Sequence, residues 1–186
     1  GCVGLSELQI PATLKKIDDY AFYGCGLTRL DLGTGLAEIG NYAFRNCALL
    51  KTVILRGNLQ TIGKHAFYGC KNLSIYVSES EAPAGWDKLF NSSYRPIFWG
   101  CTFSGDGSYV VSFTKTKDLV RNTSAQNGVS APERAGYTCV GFAATADGDA
   151  VYGLIAPTEE APNPALPFFG TAEEGSVLYP VYKKAD

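Results

Sequence analysis

The stretch Ile10–Leu32, IPATLKKIDDYAFYGCGLTRLDL, decides the fold because it returns twice along the chain. Residues 33–55 read GTGLAEIGNYAFRNCALLKTVIL, and residues 58–77 read NLQTIGKHAFYGCKNLSIYV. Cys2, Cys25, Cys47 and Cys70 follow one another at intervals of 23, 22 and 23 residues. Each of the last three is preceded by an Ala-Phe pair: Ala21-Phe22, Ala43-Phe44 and Ala66-Phe67. Ile17, Ile39 and Ile62 lead those phenylalanines by five residues. An aliphatic series follows each cysteine, as in Leu27, Leu30 and Leu32 or Leu50, Val53 and Leu55. Several residue classes recurring together at a period in the low twenties predict a solenoid of stacked coils.

No single coil can bury its own apolar edge, so each must lie on the next. Alternation in RLDL and TVIL turns Leu30, Leu32, Val53 and Leu55 inward. The small alanines allow close packing. The phenylalanines are expected to form one column, worth a few kcal/mol per buried ring. The segments DDYAF and GNYAF are expected to make short helical turns, capped by Asp18, Asn41 or a neighbour. After Val77 the beat stops. Residues 78–97 read as a C-terminal cap, with Trp86, Leu89, Phe90 and Tyr94 as covering side chains.

The segment IPATLKKIDDYAFYGC resembles the BspA-type (Treponema-type) leucine-rich repeat almost position for position. The resemblance covers about residues 1–77. It implies a leucine-rich-repeat solenoid, short parallel strands joined by short helical turns. It also implies a bacterial surface protein that adheres to host proteins or to other cells.

Beyond residue 97 the pattern changes to short strands and turns. IFWGCTF, SGDG and SYVVSFTKT read as a hairpin. GYTCVGFAAT and SVLYPVYKK read as strands, with Pro180 suggesting an edge position. Pro157, Pro162, Pro164 and Pro167 mark a long surface loop. Two domains are expected, 1–97 and 98–186. The segment NGVSAPERAGYTCVGFAATADGDAVY, with SVLYPVYKK, resembles the Listeria–Bacteroides repeat at Pro132, Gly136, Tyr137, Gly141, Leu178 and Tyr179. Cys139 stands where that family has Phe, and Phe142 and Tyr182 stand where it has Trp. The resemblance implies a small, mostly-β, β-grasp-like module used as a stalk or interaction repeat.

Composition narrows the function. The 186 residues carry a net charge of -2, which supplies no basic face for nucleic acid. No apolar run reaches the roughly 20 residues needed to cross a bilayer. Methionine is absent, which fits a piece trimmed from a longer protein, and no signal peptide is recognisable; export is implied only by the two resemblances. His65 is the only histidine, so every histidine-assisted nucleophile would have to use it, and a multi-histidine metal site is impossible. It occupies the variable position before Ala66, where the other coils have Tyr20 and Tyr42, and reads as a tolerated surface residue. No enzyme activity and no cofactor are expected.

The six cysteines contain no C-x-x-C pair, and the repeat position of Cys25, Cys47 and Cys70 predicts a ladder of buried free thiols. Cys101 and Cys139 are a possible pair, with free thiols preferred. Asp147-Gly148-Asp149 reads as a turn, since one such triplet lacks the further ligands of a calcium loop. Glu159-Glu160 and Glu173-Glu174 read as solvated loops, and the N-x-S sites at Asn72, Asn91 and Asn122 carry little weight in a bacterial protein.

The candidate binding surface is the solenoid's strand face, where outward residues would be Glu7, Gln9, Arg29, Asp31, Thr52, Ile54, Ser74 and Tyr76. The expected partner is a protein ligand. An alternative is a carbohydrate- or mucin-binding module using Trp86, Tyr94 and Trp99 as an aromatic platform, or an accessory domain of a larger secreted enzyme.

Overall fold

A computed structural model describes residues 2–116, 131–153 and 168–185. The chain divides into two compact units, Gly1–Arg95 and Pro96–Asp186. The prolines at 157, 162, 164 and 167, Asn122 and Glu159-Glu160 lie outside the described residues.

The first unit is a β-solenoid. Two three-stranded parallel sheets run along it. One joins β1 (Lys16–Ile17), β3 (Glu38–Ile39) and β5 (Thr61–Ile62); the other joins β2 (Arg29–Asp31), β4 (Thr52–Leu55) and β6 (Ser74–Val77). The register follows the repeat. Ile17 pairs with Ile39 and Ile39 with Ile62, while Leu30 pairs with Val53 and Val53 with Ile75. Equivalent residues stack on equivalent residues, so the core is a set of like-on-like columns: Leu27, Leu50 and Leu73; Leu32, Leu55 and Val77; Cys25, Cys47 and Cys70. Phe22, Phe44 and Phe67 form the expected column, with ring centroids 5.3 and 5.5 Å apart and planes within 6° of parallel.

Between the two sheets each coil turns a corner at its Ala-Phe pair. These corners are not helical. Tyr20, Tyr42 and His65 have φ of 58°, 58° and 55°, a left-handed conformation that ends any helix. Alternate amides then point out of the coil. Tyr20, Phe22 and Gly24 donate to the carbonyls of Asn41, Ala43 and Arg45, and Tyr42, Phe44 and Asn46 donate to those of Lys64, Ala66 and Tyr68. Nor is Asn41 a helix cap. Its amide donates to the Asp19 carboxylate at 2.7 Å, and its side-chain oxygen accepts from the Lys64 amide at 3.0 Å, so it ties three coils together.

The segment expected to be a cap repeats this bonding and forms one further, degenerate coil. His65 and Phe67 donate to the carbonyls of Leu89 and Phe90, and Gly69 donates to the Ser93 hydroxyl in place of a third carbonyl. Trp86 bridges in parallel to Ile62. Trp86 and Phe90 are buried edge to face, 5.2 Å apart, whereas Leu89 and Tyr94 are exposed. Arg95 is buried behind them, its Nε donating to the Leu73 carbonyl and its backbone braced on both sides by the Asn91 amide.

The second unit is an antiparallel sheet in the order β7 (Ile97–Phe103), β8 (Val110–Thr114), β10 (Val177–Lys184), β9 (Tyr137–Ala143). The β7–β8 hairpin closes through Ser104–Tyr109. Strand β10 is not at the edge, contrary to the expectation from Pro180. Its pairing with β8 is confined to Val177 and Leu178, so the proline sits where that ladder has stopped and pairs with Phe142 on the other side. Phe98, Phe113, Phe142 and Phe169 fill the core, the first three edge to face at 4.8 and 5.2 Å. A 3-10 turn at Phe169–Thr171 is the only helical element among the described residues.

Candidate binding surface

The strand face divides in two. Glu7 and Gln9 are exposed, and Arg29 and Asp31 are half-buried on β2. Asp31 is already engaged by Arg56, at 2.6 Å, and by the Gly33 amide. Thr52, Ile54, Ser74 and Tyr76, expected to face solvent, are buried; Ile54 is 1% exposed and Tyr76 0%. Strict alternation was the wrong rule for β4 and β6. TVIL and SIYV carry continuous apolar runs, which mark strands covered on both faces, whereas RLD alternates and is covered on one.

The exposed chemistry lies instead at the corners. The residues flanking each Ala-Phe pair are Tyr20 and Tyr23, Tyr42 and Arg45, and His65 and Tyr68. Tyr20, Tyr23 and Tyr68 are 53%, 38% and 42% exposed. The left-handed residue of each corner stacks on its counterpart: Tyr20 on Tyr42 at 4.8 Å and 16°, Tyr42 on His65 at 5.4 Å and 27°. The conformation costs each non-glycine residue about 1–2 kcal/mol, a strain the ring stacking and the amide ladder offset.

The second member of each pair closes the strip. Asn46 donates to the Tyr23 hydroxyl at 3.0 Å. The Arg45 guanidinium lies between the rings of Tyr42 and Tyr68, 5.4 and 5.1 Å from their centroids. Lys64 Nζ stands 5.8 Å from the Tyr42 centroid. Tyr42, Arg45, His65 and Tyr68 line a depression of about 270 Å³. His65 Nδ1 meets the Ser92 hydroxyl at 2.7 Å, and its ring stands edge-on to Tyr68. The signal for this strip was in the sequence: both residues flanking Ala-Phe are aromatic or cationic in every coil.

The remaining candidates have structural partners. All six cysteines are free. The thiols of Cys47 and Cys70 donate to the carbonyls of Phe22 and Phe44, one coil earlier. Cys70 is held far above the usual thiol range by its Cys47 neighbour and by burial, and burial raises Cys25. Burial likewise pushes Cys139 up to about 11. No three His, Cys, Asp or Glu side chains are grouped to hold a metal among the described residues. Trp86 is core, its indole donating to the Leu59 carbonyl at 3.0 Å, so it offers no sugar platform. Gly148 closes a turn onto Thr145 within the Asp147-Gly148-Asp149 segment. Among the described residues no helix is long and apolar enough to cross a membrane.

No curated protein and no solved structure matches the chain. The BspA type leucine rich repeat region does match, in six copies over residues 1–94. That span takes in the degenerate coil at Trp86–Tyr94 as well as the regular ones, and it is just over half of the 186 residues. Stacked parallel coils, like-on-like columns and this match agree: the chain belongs to the BspA-type leucine-rich repeat family.

Proposed function

We propose that the chain is a non-catalytic recognition module of a bacterial surface or secreted protein, adhering to protein ligands through its solenoid. The observation that carries this reading is the corner strip. Tyrosine and arginine are among the residue types that dominate protein–protein binding energy, tyrosine because it brings large contact area at low entropic cost and arginine through its planar fork of donors. Here Tyr20, Tyr23 and Tyr68 stand exposed and Tyr42 and Arg45 half-buried, in a row whose spacings the coils fix. Glu7, Gln9, Arg29 and Asp31 extend the surface on the strand side. The second unit acts as a Listeria–Bacteroides-like spacer or adds contacts of its own.

Adhesion of the purified chain to immobilised host extracellular proteins and to cultured cells tests the reading. Parent protein is expected to adhere, and the Tyr20→Ser, Tyr23→Ser, Tyr68→Ser variant to lose at least tenfold with its melting curve intact. Absence of adhesion by the parent, or full adhesion by the folded variant, would sink it.

A further inference from the structure

The geometry points to an acidic protein segment as the ligand of the depression at Tyr42, Arg45, His65 and Tyr68, with Arg45 and Lys64 receiving its carboxylates. This rests on the recognition reading above and narrows it. Three observations carry it. First, the charge on this stretch of the strip is positive: Arg45 and Lys64 both stand against Tyr42, and no carboxylate lines the depression. The nearby acid, Asp19, is held by the Asn41 amide and side chain and also feels Lys64, so Arg45, which lines the depression, is the principal cation there. Second, Arg45 Nε is buried and makes no hydrogen bond to any described residue. Part of the guanidinium's hydrogen-bonding capacity is therefore unused within the described protein, and an ionised acceptor is the strongest partner for such a group.

Third, the rings are in the wrong attitude for a sugar. Stacking a pyranose needs an open aromatic face. Tyr42 is sandwiched between Tyr20 and His65, and the Tyr68 ring has Arg45 over it. Around the depression the ring faces are thus taken up by neighbouring rings and by a guanidinium, which leaves little of the bare aromatic surface a sugar would stack on. Engaged ring faces with two cations beside them suit carboxylates.

Fluorescence anisotropy with a labelled Glu-Gly repeat peptide tests this, beside a Ser-Gly repeat peptide and oligogalacturonate. The Glu-Gly peptide is expected to bind, to weaken steeply between 50 and 300 mM salt, and to lose at least tenfold in affinity with Arg45→Ala. Lys71→Ala removes an exposed charge elsewhere on the same unit and is expected to change affinity less than twofold. Should Arg45→Ala disturb the corner, Lys64→Glu reads the same site, with the same tenfold loss expected. The inference is overturned if the acidic peptide does not bind. Equal losses from Lys71→Ala and Arg45→Ala, or tighter binding of oligogalacturonate than of peptide, overturn it too. Adhesion without acidic-peptide binding removes this inference and leaves the recognition reading standing; acidic-peptide binding without adhesion does the reverse.

Discussion

Phe44 lies face to face with Phe67, ring centroids 5.5 Å apart and planes 6° from parallel, and both rings are fully buried. Phe44 also has Phe22 on its other side, so it is the middle of the column. Phe44→Ala removes both neighbours' contacts at a site that repeated backbone bonds keep from collapsing. The expected loss is about 3–5 kcal/mol. Phe22 is only half-buried, and Phe22→Ala is expected to cost less than half as much. Urea denaturation of the two variants side by side checks the order; equal losses would contradict the column's closed middle.

Gly40 and Gly63, at the start of two of the corners, allow the coils to close up. A Cβ on Gly63 would stand 2.5 Å from the Asn41 amide nitrogen, and one on Gly40 would meet the Asp19 amide at the same distance. Backbone cannot give way as a side chain can. Gly63→Ala is therefore expected to cost about 1–3 kcal/mol, as overpacking does. Gly105→Ala, in the β7–β8 hairpin with open space around it, is expected to be neutral within about 0.5 kcal/mol. Thermal unfolding distinguishes the two.

Thiol chemistry offers a third check. The native protein is expected to react quickly with a thiol reagent at Cys2 alone, the one exposed cysteine. Cys25, Cys47, Cys70, Cys101 and Cys139 are buried, and the raised thiols of Cys25, Cys70 and Cys139 keep their sulfurs protonated at neutral pH. Unfolding should expose six reactive thiols. Fewer than six would reveal a bridge.

Much of the solenoid was legible before any coordinates. Apolar side chains recur because each coil buries the same positions, so Ile17, Ile39 and Ile62 announced their columns directly. What escaped depends on chain geometry and on neighbours. A left-handed Tyr42 looks like any other tyrosine in GNYAF, and nothing local distinguishes its corner from a helical turn. The two-sided burial of β4 and β6 was written in TVIL and SIYV, but period-two reading overrode the continuous apolar run. Trp86-Asp87-Lys88-Leu89-Phe90 hides a further coil because Trp86 stands where the regular coils have isoleucine and Phe90 accepts the bond that alanine accepts in them. The corner strip needed only a count of what flanks Ala-Phe.

Acid titration tests the β7–β8 hairpin. The Asp106 carboxylate accepts from the Ser104 hydroxyl and from the Ser108 amide and hydroxyl, which hold its pKa down to about 2 from the usual 3.8. Its folded value lies below the unfolded one. The stabilisation is thus complete above about pH 4 and is lost as pH falls through 2. A carboxyl titration by NMR should place Asp106 near 2, and Ser104→Ala should move it upward. An unshifted midpoint in the parent would contradict the turn.

At every corner the amides of one coil give to the carbonyls of the coil that follows, from Tyr20 and Asn41 through to Phe67 and Phe90. At the entry to each corner a single amide runs the other way, Gly40 to the Ile17 carbonyl, Gly63 to Ile39 and Asp87 to Ile62, against two or three that run forward. The forward-donating peptide groups are aligned like compass needles along the solenoid, and their small moments outnumber the opposed ones. This edge of the molecule therefore has a north and a south: partial negative charge accumulates toward the Tyr20 end and partial positive charge toward the Leu89 end. A coil inserted upside down would set donor against donor.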